Sequence, residues 1–356
     1  MKILFVGPDL SGLGGVQNYY CLVLPYLTDD AEYLATGRMA RKQRLAFVQL
    51  LIDLRLFRGR LRECDVVVFN PTLGARCFCR DIPFILLARW KRRRVVVFFR
   101  GWGLHFEQKI DRWFKPLFQW VFRHVDATIV LASQFEQKLR QWGYQGTVYR
   151  ETTVMNDAWF DADEKREPND SGPVKILFLS RVEADKGIYE MADGMAQLTE
   201  IPFECHFAGD GDEMESFRRY VKEKNYGFIK FKGYLRGEEK RRAYQEADIF
   251  ILPSSHGEGM PNALLEAMGC GLSVVVTRVG GVADFFEDGR MGSFLNEVTA
   301  DEIAKVLRRM IGDKDKRISV AVYNRDYAQK HFGASQAAER LRRICESVAQ
   351  PEEKKV

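Results

Sequence analysis

Residues 249–266 read Ile-Phe-Ile-Leu-Pro-Ser-Ser-His-Gly-Glu-Gly-Met-Pro-Asn-Ala-Leu-Leu-Glu, a strand, a turn and the start of a helix in direct succession. The run 249–252 is apolar without alternation, as expected of a strand covered on both faces. Pro253-Ser-Ser-His-Gly is turn chemistry, and Pro261 suits the first helical position, where its missing N–H costs nothing. Strand, turn and helix in that order mark an α/β layer with a parallel sheet. Gly259 and Met260, with Pro261 and Asn262 behind them, bring backbone N–H groups to a helix N-terminus, which favours anionic or polar oxygens. Glu258 stands on the loop, and Glu266 lies about one and a half turns into the helix. Carboxylates at two depths suit two hydroxyls of one extended ligand.

The same pattern recurs on both sides of this stretch. Short β-branched runs at 3–6, 66–69, 95–99 and 128–131 precede helical patterns in the first half, and runs at 176–179, 205–208, 229–231 and 273–276 do so in the second. The best linker is 161–173, Asp-Ala-Asp-Glu-Lys-Arg-Glu-Pro-Asn-Asp-Ser-Gly-Pro, poor in apolar residues and holding two prolines. With 356 residues, the chain therefore reads as two doubly wound domains, 1–165 and 174–330. Residues 331–356 complete it as a helix expected to pack back toward the first domain, ending in a disordered tail. Such sheets bind ligands beyond their C-terminal strand ends, so two facing domains form a cleft.

Glu258-x7-Glu266 in this setting, followed by Ala267-Met-Gly-Cys-Gly-Leu-Ser-Val-Val-Val-Thr277 and Val279-Gly-Gly-Val-Ala-Asp-Phe-Phe-Glu-Asp-Gly289, resembles the GT4 family of retaining glycosyltransferases (group 1). The resemblance spans roughly 176–296 and implies the GT-B fold, two Rossmann-like domains facing across a cleft. It implies that Glu258 lies near the donor sugar and that Glu266 contacts the nucleotide ribose. Ser180-Arg181-Val-Glu-Ala-Asp-Lys186-Gly187 looks like the family's Arg and Lys that grip the donor diphosphate. A planar Arg fork and a Lys point charge neutralise charge on a departing diphosphate without a metal, and no Asp-x-Asp ligand pair stands at an obvious site. No metal or other cofactor is expected. Gly209-Asp-Gly211 and Gly233-Tyr234-Leu235, each at a strand end, resemble loops lining the nucleotide; Tyr234 or Leu235 is expected to meet the base through its backbone. As bare sequence, both are ordinary strand-to-helix turns, and the bland alternative for Arg181, Glu183 and Lys186 is a surface ion-pair set.

On the acceptor side, Gly12-Leu-Gly14-Gly15 is a Gly-rich turn after the first strand, and its spacing departs from the dinucleotide-binding GxGxxG. By resemblance, Gly14 and Gly15 lie at the cleft. Relatives often carry His-Gly after the strand at 95–99; here Arg100 takes that place and His105 follows five residues on. That departure points to a different sugar or an anionic acceptor.

Residues 1–160 hold 24 Lys and Arg against 14 Asp and Glu, whereas the remainder holds 30 against 35. A half this basic implies an anionic partner. Arg89-Trp-Lys-Arg-Arg-Arg94 and the aromatic run 113–122 suit anionic headgroups, although such a run also reads as core. No nucleic-acid recognition module appears. No run approaches the ~20 apolar residues of a membrane span. Seven cysteines without metal-type spacing, and no signal peptide ahead of Met1, read as reduced thiols in a cytoplasmic protein, peripheral at the inner membrane face. The function expected is transfer of a sugar, from a UDP-sugar, to a glycan or lipid-linked acceptor in cell-surface polysaccharide or glycolipid synthesis. The alternatives are a nucleotide-sugar epimerase of the same build and a non-catalytic nucleotide-sugar-binding subunit.

Overall fold

The computed structural model describes residues 1–12, 14–27, 30–37, 46–160, 172–198, 200–255 and 259–350. Glu258, the linker residues 161–171 and the tail 351–356 lie outside the described residues. The chain forms two compact units, Met1–Val154 with the residues from Ala334 onward, and Met155–Gly333.

The first unit runs β1 (Ile3–Gly7), α1 (Gly15–Val23), β2 (Ala31–Ala35), α2 (Ala46–Arg60), β3 (Val66–Phe69), β4 (Thr72–Leu73), α3 (Ala75–Trp90), β5 (Arg94–Phe98), β6 (Gly101–Trp102), α4 (Leu104–Lys109), α5 (Lys115–Phe122), β7 (Ala127–Val130), α6 (Ser133–Gln141) and β8 (Thr147–Arg150). Its main sheet has the order β2-β1-β3-β5-β7-β8, all parallel. Strands β1, β3 and β7 are buried along their whole length, as an unbroken apolar run requires when helices cover both faces. The flanking β2 and β8 are half-exposed.

The second unit runs β9 (Val174–Leu179), α7 (Ile188–Ala196), β10 (Phe203–Ala208), α8 (Met214–Glu223), β11 (Ile229–Gly233), α9 (Gly237–Glu246), β12 (Ile249–Leu252), α10 (Asn262–Gly269), β13 (Ser273–Thr277), α11 (Val282–Phe285), β14 (Gly292–Leu295), α12 (Ala300–Gly312) and α13 (Lys314–His331). Its parallel sheet has the order β11-β10-β9-β12-β13-β14. Strand order reverses between β9 and β12, so the crevice beyond their C-terminal ends is the topological switch point. The last helix, α14 (Ala334–Ala349), belongs to the first unit and buries Ala337, Leu341, Ile344 and Cys345 there.

The expected boundary at residue 165 moves. Residues after β8 already belong to the second unit: the Met155 N–H donates to Phe332 O at 3.0 Å, Arg325 Nη2 donates to Phe160 O at 3.1 Å, and the Trp159 ring lies 6.0 Å from that of Tyr244. Burial of Met155 and Phe160 among α10 and α13 favours this assignment over the polar linker as the point of separation.

Candidate functional site

The two loops at the switch point are stitched together. After β12, the Ser255 N–H and Oγ donate to Asp185 O, in the loop after β9, at 2.8 and 3.0 Å. Gly187 makes this approach possible: its φ is +66°, and a Cβ there would stand 2.4 Å from Pro253 O. A third loop locks onto the first, with the Val182 N–H donating to Asp210 O at 3.0 Å and the Glu213 N–H donating to Val182 O at 3.1 Å. Gly209, with φ +144°, would put a Cβ 1.9 Å from Ser180 O, and a Cβ on Gly211 would lie 2.5 Å from Val182 O. Close backbone packing alone thus accounts for both glycines. The Gly209 N–H reaches Gly233 O at 2.9 Å, joining the loop of Tyr234 and Leu235. Tyr234 turns its ring outward, with the Arg236 guanidinium 4.8 Å from the ring centroid. Tyr234 therefore offers an aromatic face as well as backbone groups.

Two cations share the loop after β9 on different terms. Lys186 is buried, its Nζ 3.9 Å from Asp185 Oδ1. The Arg181 side chain is three-quarters exposed, and Nη1 donates to Glu183 Oε1 at 2.6 Å. An exposed pair of this kind contributes little, so Arg181 can exchange Glu183 for a ligand oxyanion at small cost.

Glu266, buried in α10, is held on both oxygens. Lys240 Nζ donates to Oε1 at 2.7 Å and the Tyr244 hydroxyl donates to Oε2 at 2.9 Å. Burial, then the Glu266 charge, pushes the Tyr244 phenol well above its ordinary value, which keeps it a donor. Lys240 and Tyr244 stand four apart on α9, and sequence reasoning did not find them; a Lys-x3-Tyr pair on a charged helix is the only signal they leave. Oε2 is also 2.5 Å from Lys240 Nζ, so Oε1 is the oxygen that keeps a lone pair for a further donor such as a ribose hydroxyl. Pro261 caps α10 instead of opening it, because its ψ of 117° is extended; Asn262 is the first helical residue. Met260 and Pro261 are buried, and Gly259 O accepts the Gly281 N–H at 2.6 Å.

In the first unit, a Cβ on Gly15 would meet nothing within 4 Å, and one on Gly14 only the tip of the Gln17 side chain. Internal packing does not require glycine at either position. Arg100 and His105 separate clearly. The Arg100 N–H donates to Pro71 O at 2.9 Å and its guanidinium lies over Tyr19 and Phe98. His105 is exposed in the first turn of α4. The aromatic run splits by helical period: Phe118, Val121 and Phe122 are buried, while Trp113, Leu117 and Trp120 are exposed. Trp90 is exposed too, with Lys91 Nζ 4.3 Å from its ring centroid.

Among the described residues, no helix is long and apolar enough to cross a membrane, and no cluster of His, Cys, Asp and Glu has the arrangement of a metal site. All seven cysteines are free thiols.

Residues 173–313 match the family described as Glycosyl transferases group 1. Sulfoquinovosyl transferase SQD2 of Arabidopsis thaliana is 27% identical over 44% of this chain and 30% of its own length. The putative colanic acid biosynthesis glycosyltransferase WcaL of Escherichia coli is 22% identical over 67% of this chain and 64% of its own. The chain thus spans less than two thirds of either relative. Anabaena HepE, solved with UDP and glucose, superimposes with a TM-score of 0.75 at 17% identity, covering 98% of this chain and all of that one. At that identity the likeness establishes a shared fold.

Proposed function

We propose that this chain, whose residues 173–313 match the family described as Glycosyl transferases group 1, transfers a sugar from a UDP-sugar to a hydroxyl of a glycan or lipid-linked acceptor, in polysaccharide or glycolipid synthesis. The observation that supports this reading is the pair of stitched loops at the switch point of the second unit, where Ser255 bonds to Asp185 O beside Lys186, together with Glu266 held on α10 by Lys240 and Tyr244. Lys186 and Arg181 neutralise the diphosphate as the sugar–oxygen bond breaks, doing electrostatically what a metal does elsewhere. The N-terminus of α10 adds its dipole. Glu266 accepts from the ribose. The reading includes retention, with Glu258 assigned by the family resemblance alone to the donor sugar, where its carboxylate would stabilise developing positive charge. The two relatives and the HepE complex, named for glycosyl transfer, polysaccharide synthesis and UDP, support this choice of donor and pathway class.

A thermal-shift screen of UDP-, GDP- and ADP-sugars tests the donor. Stabilisation by UDP-sugars above the others supports the reading, and no response to any nucleotide-sugar sinks it. Product analysis without acceptor separates transfer from epimerisation.

A second element of the proposal is peripheral contact with an anionic membrane. Its support is the exposed face Trp113, Leu117 and Trp120, with Trp90 and the basic run 89–94 in the same unit. Indole rings settle at headgroup depth while Lys and Arg meet lipid phosphates.

A further inference from the structure

We propose that a cavity at the N-terminal edge of the second unit's sheet, at the opposite strand ends from the switch point, is a second ligand site and takes a phosphorylated sugar. It has a volume of about 300 Å³ and lies between the first residues of β13 and β14, the end of α12 and the start of α13. That volume is at the small end of the range for small-molecule pockets. Ser273 opens β13 and lines the cavity, whereas Thr277, at the other end of the strand, donates to Ser254 O in the switch-point loop. The two ends of one strand thus serve two different sites. Among the described residues no aromatic ring lines the cavity, so a nucleotide base finds no stacking platform there.

The lining offers donors for an oxyanion and acceptors for hydroxyls. Its cations are Arg309, Lys316 and Arg317, and its carboxylates are Asp288 and Asp313. Arg317 is held through Nη1, which donates to Met310 O and Ile311 O near the end of α12, at 2.7 and 2.5 Å. Arg309 Nη2 donates to Ser293 Oγ at 2.9 Å. Both forks therefore keep further N–H groups, and among the described residues neither they nor Lys316 form an ion pair. Asp248, buried and outside the lining, acts on Arg317 through its field. Each lining carboxylate has a backbone task that occupies one oxygen. Asp288 Oδ1 accepts the Phe294 N–H and Asp313 Oδ1 the Lys316 N–H, both at 2.9 Å. The second oxygens remain for hydroxyl donors. Gly289, at φ +77°, leaves its side open, since a Cβ there would meet nothing within 4 Å. Inorganic phosphate uses the cations but is repelled by the carboxylates, and a neutral sugar uses the carboxylates alone. A sugar phosphate uses both.

Calorimetric titration of the full chain, without nucleotide, tests this. Glucose 6-phosphate, glucose 1-phosphate and ribose 5-phosphate are compared with inorganic phosphate and with glucose. One of the sugar phosphates is expected to bind more tightly than either fragment by about tenfold or more. Arg309→Gln together with Lys316→Gln should weaken it by about tenfold or more. Both side chains are exposed, so the double variant should keep the wild-type urea midpoint. If it does not fold, Asp288→Asn carries the test; it can keep the oxygen that meets the Phe294 N–H and should lower the preference for sugar phosphate over inorganic phosphate. Binding that these substitutions leave unchanged places the ligand elsewhere and overturns the proposal. So does the absence of binding by all three sugar phosphates. Inorganic phosphate binding as tightly as they do would mark the cavity as a site for an adventitious ion only, and also overturns it. The site does not depend on the glycosyltransferase reading, and failure of UDP to bind leaves this test unaffected.

Discussion

Lys240 Nζ sits 2.7 Å from Glu266 Oε1, so the carboxylate that faces the proposed ribose is pinned from a helix two elements earlier in the chain. Tyr244 pins the other oxygen at 2.9 Å. Removing Lys240 leaves a buried carboxylate with one donor and no counter-charge. Lys240→Met is expected to cost about 1–3 kcal/mol of stability by urea unfolding. Adding Glu266→Gln should recover part of that loss, whereas unchanged unfolding of Lys240→Met would show the pair to be idle.

Two glycines should behave oppositely. Gly209→Ala forces a Cβ against Ser180 O at a φ of +144°, so it is expected to cost about 2 kcal/mol or more. Gly15→Ala meets no neighbour and opens a helix, so stability should hold or rise by up to about 1 kcal/mol. Turnover of Gly15→Ala should nonetheless fall if substrate approaches that backbone. Unfolding midpoints and rates on the same preparations separate the two effects.

His206 gives the fold an acid limb. It is buried in β10, and burial, aided by Lys232, holds its imidazole below the ordinary 6.5 while Glu204 opposes. Above 6.5 the ring is neutral in both folded and unfolded chains. As pH falls through 6.5 the unfolded chain takes the proton first, so stability declines until the folded value is passed. Urea midpoints between about pH 8 and pH 5 should show this fall, and His206→Gln should flatten it.

Membrane contact has a simple readout. Replacing Trp113 and Trp120 with Ala removes exposed rings without touching the core, so stability should change by less than about 0.5 kcal/mol. Sedimentation with anionic phosphatidylglycerol vesicles should drop, and wild-type binding should weaken as salt rises. Binding to neutral phosphatidylcholine vesicles that matches the anionic ones would contradict the charge argument.

Central strands of both main sheets were legible from sequence, and of the four edge strands β11 alone was. The expected runs at 66–69 and 249–252 coincide with β3 and β12 because buried parallel strands are continuous apolar words. Strands β2, β8 and β14 escaped notice: the first two are half-exposed and polar, and the third begins Gly-Ser. The helix expected near the C-terminus is present as α14. At the site, Lys186 and Glu266 stood out through their local motifs, whereas their surroundings did not. Lys240 and Tyr244 lie 26 and 22 residues from Glu266, and Arg100 meets Tyr19 and the field of Glu151 only after folding. Local patterns carry no information about such partners. The same holds for Met155, whose place against Gly269 moved the domain boundary.

The central claim, that the switch-point crevice of the second unit binds a nucleotide diphosphate through Lys186, is tested most directly by calorimetric titration with UDP. Lys186→Met keeps most of the buried side-chain volume and removes the charge. The account predicts that UDP binds the wild-type chain and that Lys186→Met weakens it by about tenfold or more while the protein stays folded. Equal affinity in the two proteins, or no binding of UDP to the wild type, would contradict it.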